Sequence, residues 1–139
     1  MSLNHIFDIS GSALAAETTR LKTSASNMSN ANVVTGKAED TYKAQYPIFK
    51  EVQEEAGLWL NGLKQGVGVD GIYESTAEPV KRYEPHNPIA DEQGFVYAPN
   101  INSVAEMTNV ISASRAYEMD INVLNTTKQL IQRTLHLGE

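Results

Sequence analysis

From Ser103 to Leu137 the chain runs without a single glycine or proline. Within that run apolar residues recur at alternating steps of three and four: Met107, Val110, Tyr117, Ile121, Leu124, Ile131 and Leu135, with Ser114 and Lys128 filling the same register. This is the spacing of one long helix whose seam lies along another helix. Ser103 with Glu106 three residues on predicts a capping box at its start. Pro99 discourages an earlier start, and Gly138 suits a left-handed cap at the end. At ~1.5 Å per residue such a helix is about 50 Å long, more than a compact domain of this size needs. A helix that overshoots its own domain packs against something outside it, so the pattern points to assembly.

A second helical stretch covers residues 3 to about 31. Phe7, Leu14, Leu21 and Met28 stand seven apart, with Leu3 four before Phe7. The positions between them on the seam are Ser10, Glu17, Ser24 and Ala31, so half of the stripe is small or polar. Ile6, Ile9, Ala13, Ala16 and Ala25 add a narrower surface of mostly small side chains, each supplying little burial. Such a helix is marginal alone and needs neighbours. A terminal helix of an ordinary bundle reads alike, but the length and weak sidedness of both ends favour packing between molecules. The segment from Ser26 to Gly36, with its asparagines, paired valines and glycine, ends the helix.

From Thr41 the period changes. Tyr42, Ala44 and Tyr46 alternate with polar residues, and Ile48, Phe49 and Val52 follow Pro47, which predicts one or two strands. Val67, Val69 and Ile72-Tyr73 read as another strand; Val80 to Tyr83 and Phe95 to Tyr97 are short strands. Pro85-His86-Asn87-Pro88 makes a loop between them, and Asp91-Glu92-Gln93-Gly94 a turn. Between Gln53 and Lys64, the apolar knot Leu58-Trp59-Leu60 with Leu63 either completes the core of this middle part or forms a contact patch. The fold class is α+β: two long terminal helices packed as a coiled-coil-like pair, with a small β-rich module inserted. The domain division is 1–36, 37–100 and 101–139.

The 139 residues carry a net charge of −6, most of it in residues 41–100, while the ends are near neutral. An acidic middle argues against nucleic acid. Near-neutral ends suit segments that pack against copies of themselves. There is no cysteine, which removes disulfides and cysteine-based metal sites. No basic stretch followed by an apolar run marks a cleavable signal peptide, and no apolar run approaches the ~20 residues of a membrane span.

Chemical motifs are few. Gly66 to Gly71 match GxGxxG, but dinucleotide binding needs a helix opening at the third glycine, and Ile72 to Pro79 leave no room for one. Glycines in a bent strand explain the match better. His5, His86 and His136 have no metal-ligand spacing. Glu54-Glu55 and Asp91-Glu92 read as solvated acidic faces. No GxSxG or P-loop occurs. The sequence therefore predicts no catalytic, cofactor or metal residues, no small-molecule substrate, and no enzyme.

Five segments bring in a resemblance. Ser26-Asn27-Met28-Ser29-Asn30-Ala31-Asn32-Val33-Val34-Thr35 is similar to the signature that closes the first helix of bacterial flagellar axial proteins, with Ser29 where alanine is usual. Tyr83 to Met107, with its NPxAD…GFV…PNI run, resembles the proximal rod subunits within that family. Ser112 to Thr126, Thr134 to Gly138 and Ile6 to Leu14 agree. Residues 53–66 depart from it, being longer and more apolar than the family leads one to expect.

The resemblance implies a structural, non-enzymatic subunit, exported unfolded by the flagellar type III apparatus without a cleaved signal. It implies a helical tube crossing the periplasm, with terminal helices inside and the β module outside. Its partners would be copies of itself and other rod subunits, contacted through Phe7, Leu14, Leu21, Asn27, Met28 and Asn30 on the first helix and the Met107-to-Leu135 stripe on the second. The alternatives from other classes are a secreted adaptor whose helices pair with a receptor, and a small cell-wall hydrolase.

Overall fold

The computed structural model describes residues 3–52 and 66–137, with side chains from His5 to Val52 and from Gly66 to His136. The knot at Leu58-Trp59-Leu60 and Leu63, and the cap at Gly138, lie outside the described residues. Helix α1 spans Leu3–Asn30 and helix α2 spans Ser103–Leu137. Between them come a short 3-10 turn at Ala38–Asp40 and strands β1 (Gln45–Val52), β2 (Gly66–Glu74), β3 (Val80–Tyr83) and β4 (Phe95–Ala98). The two helices pack along each other, and α1 also carries β1 and β2.

The strands form two separate antiparallel ribbons, β1–β2 and β3–β4. In the first, Ile48 pairs with Gly71 and Phe49 with Val69, so Asp70 is an extra residue and the ribbon is bulged there. The glycine run is thus a strand beside a bulge. Gly68 sits where a Cβ would come within 2.9 Å of Val52 Cγ2, and a Cβ on Gly66 would collide with Ser12 Oγ of α1. The close approach of α1 and ribbon is what the glycine allows. There Val67 N donates to Ser12 Oγ at 3.1 Å, tying ribbon to helix.

In the second ribbon Val80 pairs with Ala98 and Tyr83 with Phe95. The reversal before β4 is made by Asp91 to Gly94, with Gly94 at φ 81°, a backbone region costly for any residue with a Cβ. The far edge of β4 is taken up by Thr35, which exchanges two backbone hydrogen bonds with Tyr97 (2.9 and 2.8 Å).

The core is thin and made of small groups. Its buried apolar residues are Ala16, Ala31, Ala44, Val96, Ala98 and Ala113. The chain exposes 10057 Å², against about 7,100 Å² for a compact monomer of its mass.

The start of α2 corrects the sequence reading. The cap is Asn102, whose Oδ1 accepts hydrogen bonds from Val104 N (3.0 Å) and Ala105 N (3.2 Å). Ser103 is the first helical residue, and Glu106 does not reach back: its side chain is buried at 3 % exposure, with Oε2 accepting no hydrogen bond. Asn102 is one residue earlier and equally suited to cap, and packing holds Glu106 inside.

Candidate assembly surface

The buried line of α2 is not its apolar stripe. Glu106, Ala113 and Thr127 are buried and Asp120 half-buried, a heptad of small and polar groups on one face of α2. On α1, Ser10, Ser24 and Ala31 are buried with Glu17 half-buried, the small half of the stripe read from sequence. Small side chains let two helix backbones approach, and the larger residues are pushed to the flanks. Phe7, Leu14, Leu21, Val110, Tyr117, Leu124 and Ile131 are half-buried. Met28, Met107, Ile121 and Leu135 are exposed. The structure therefore gathers the expected stripe on the helix pair but leaves it only partly covered.

A second stripe escaped the sequence reading. Met119, Val123 and Leu130 are exposed at 63, 43 and 49 %, on the other flank of α2 from Tyr117 and Ile121. Its signal was the same three-and-four spacing, one register away. Across the middle, Ile48, Phe49, Val52, Val67, Val69 and Ile72 are exposed along the β1–β2 ribbon. Apolar surface on this scale marks contact with other molecules.

Asn27 and Asn30 do different work. Asn27 is fully buried. Its Nδ2 donates to Gln45 O (2.9 Å), and its Oδ1 accepts from Gln45 N (2.8 Å) and from Tyr42 Oη (3.0 Å). Ser26 Oγ lies 3.0 Å from Tyr42 Oη. Asn30 Nδ2 donates to Ser26 O at 2.8 Å, closing the last turn of α1. Thr35 Oγ1 bonds Lys37 O (2.8 Å) and pairs with Thr41 Oγ1 (2.9 Å). The segment Ser26 to Thr35 is thus the joint that fixes the end of α1 to β1 on one side and to β4 on the other. The buried Asn27 amide is used up inside the subunit.

The second motif also has a local cause. Asp91 Oδ1 accepts from Phe95 N (2.8 Å) and Gln93 N (2.9 Å), and Tyr97 Oη donates to Oδ2 at 3.3 Å. These bonds, that from Phe95 foremost, hold its carboxyl below the usual carboxylate range. Asn87 donates to Glu84 Oε2 (3.0 Å) and accepts from Ile89 N (3.1 Å). At the head of α2, burial and the charge of Glu106 raise the Tyr46 hydroxyl above its ordinary value. Tyr46, near the start of β1, thus lies close to Glu106 in the first turn of α2, while Gln45 bonds Asn27 in the last turn of α1. Both helix ends meet there, so the packed pair runs antiparallel.

Among the described residues no cluster of histidine and carboxylate side chains is placed to hold a metal ion, and no helix is long and apolar enough to cross a membrane. The three histidines and the Asp91-Glu92 pair, weighed from sequence for chemistry, do not converge on one site.

Residues 7–36 match the family model described as flagella basal body rod protein, and residues 92–137 match the C-terminal model of the flagellar basal body rod FlgEFG proteins. The chain is 45 % identical over 139 residues to the flagellar basal-body rod protein FlgC of Salmonella typhimurium, covering all of both chains. It is 44 % identical to that of Escherichia coli O157:H7 and 35 % to that of Buchnera aphidicola from Acyrthosiphon pisum, again end to end. The helix with its asparagine joint, the NPxAD turn and the long second helix are those of a structural rod subunit, and the chain belongs to the FlgC family of flagellar basal-body rod proteins.

Proposed function

We propose that the subunit builds the rod by open-ended helical stacking, with the α1–α2 pair as its assembly element and the β ribbons as an outer module. The division at about residues 36 and 100 separates these two roles. Copies of itself and other rod subunits cover Phe7, Leu14, Leu21 and Met28 on α1 and the stripe from Met107 to Leu135 on α2. Asn27 and Asn30 contribute by fixing the angle at which helix and module meet. The chain reaches the periplasm unfolded through the flagellar export apparatus, which suits a subunit without disulfides. The observation that carries this reading is the exposed apolar residues along two long helices whose fully buried positions are small or polar.

Electron microscopy of basal bodies purified from cells carrying a tagged chain tests it. Label in a helical array around the rod axis is the expected result. Label absent from the rod, or a soluble complex of fixed stoichiometry, would favour the adaptor reading instead.

A further inference from the structure

We propose that Glu17 of one subunit receives Arg115 of a second copy, in a cleft between α1 and the β1–β2 ribbon. This rests on the assembly reading above and names one of its contacts. The cleft, about 170 Å³, is lined by Ala13, Ala16, Glu17, Phe49 and Val67. Its walls are apolar, with Phe49 and Val67 exposed at 41 and 39 %. Glu17 supplies the single charged group. Its Oε2 is shielded from solvent and accepts no hydrogen bond. Arg20 Nη1, at 3.6 Å, gives it a loose ion pair and no more. Glu17 is part-exposed where it lines this apolar cleft, so the cleft suits a side chain with a hydrocarbon stem and a cationic, hydrogen-bonding end.

Arg115 meets that description on this same chain. It is exposed and makes no ion pair among the described residues. It lies two positions beyond the buried Ala113, so it leaves α2 on the side turned away from α1 and cannot reach its own Glu17. Ile111 and Met119, four residues before and after on the same face, are exposed at 48 and 63 %. The arginine therefore stands between two apolar knobs, as the carboxylate stands between two apolar walls. Arg133 is exposed on the same side of α2 but has Gln129 four residues before it, which offers no such match. Cleft and arginine occupy different surfaces of one subunit. Their contact is head-to-tail, and repeats without closing unless the rotation completes a ring.

The test is a charge exchange in cells whose rods are built from the full chain. Glu17→Arg and Arg115→Glu, each alone, are expected to lower the yield of rods by about tenfold or more, because an unpaired charge would recur in every subunit. The double variant is expected to recover most of it, which a simple folding defect would not allow. In basal bodies, Ala13→Cys with Met119→Cys in this cysteine-free chain should cross-link into dimers and longer ladders. Single variants that assemble as well as the parent, a double variant that stays unassembled, or recovery when Arg133→Glu replaces Arg115→Glu would each overturn the pair. The first and last of these leave rod assembly itself standing; failure of the parent chain to enter rods would refute the assembly reading instead.

Discussion

The side-chain amide of Asn27 pairs with the backbone of Gln45 as a neighbouring strand would, accepting from its N–H at 2.8 Å and donating to its C=O at 2.9 Å. Among the described residues no other strand pairs with Gln45 on that side, so the last turn of α1 serves as its edge partner. Asn27→Ala should leave both Gln45 groups and Tyr42 Oη without that partner, at about 1–3 kcal/mol for each buried group left unsatisfied. Asn27→Asp should be at least as damaging, since a carboxylate would face the Gln45 carbonyl. Thermal unfolding and amide exchange at Gln45 measure the loss; a melting curve unchanged by Asn27→Ala would show that the joint lies elsewhere.

Asp91 gives the β3–β4 turn a pH dependence. Its carboxyl is held below the ordinary value, so the charged form is favoured by the fold. Such a group contributes stability that is fully present above its unfolded value of about 3.9 and is lost as pH falls through the lower folded value. The turn should therefore loosen only below about pH 4. Exchange at Phe95 and Gln93 across that range reports it. Asp91→Ala should remove the dependence, and a parent protein whose turn opens near neutral pH would contradict the assignment.

The apolar stripes make separate predictions. Leu124→Asp and Ile121→Asp should stop rod formation, because a carboxylate buried against a neighbour without a partner costs several kcal/mol and recurs in every copy. Met119→Glu and Val123→Glu probe the second stripe and should weaken assembly without changing the helix content of the free chain. Glu118→Gln, off both stripes, should be mild. Rod yield and motility score all five, and a motile Leu124→Asp strain would mean that the interface is misplaced.

Both helices, the short strands and the Asp91–Gly94 turn were legible in the sequence because each rests on local chemistry: an unbroken periodic run, alternation, a glycine where φ is positive. The cap of α2 was read one residue late, since Asn102 and Ser103 are both competent and only packing decides that Glu106 stays inside. The buried heptad Glu106, Ala113, Asp120 and Thr127 was invisible for a different reason. Periodicity weighs large apolar residues, whereas this line is made of small and polar ones. Asn27 was marked as part of a signature, but its partner lies 18 residues away and no local rule pairs them. The resemblance supplied the rod; the division of labour between joint and flank came only with the fold.

The central claim, that the helix flanks are unfinished until neighbours cover them, is tested most directly by hydrogen exchange on the free chain and on assembled rods. In dilute monomer the joint from Asn27 to Thr35 and strand β4 should be the slowest region, while amides along much of α1 and α2 exchange quickly. In rods both helices should become protected over nearly their whole length. Strong protection throughout Leu3 to Met28 and Met107 to Leu135 in the free monomer, unchanged by assembly, would contradict the account.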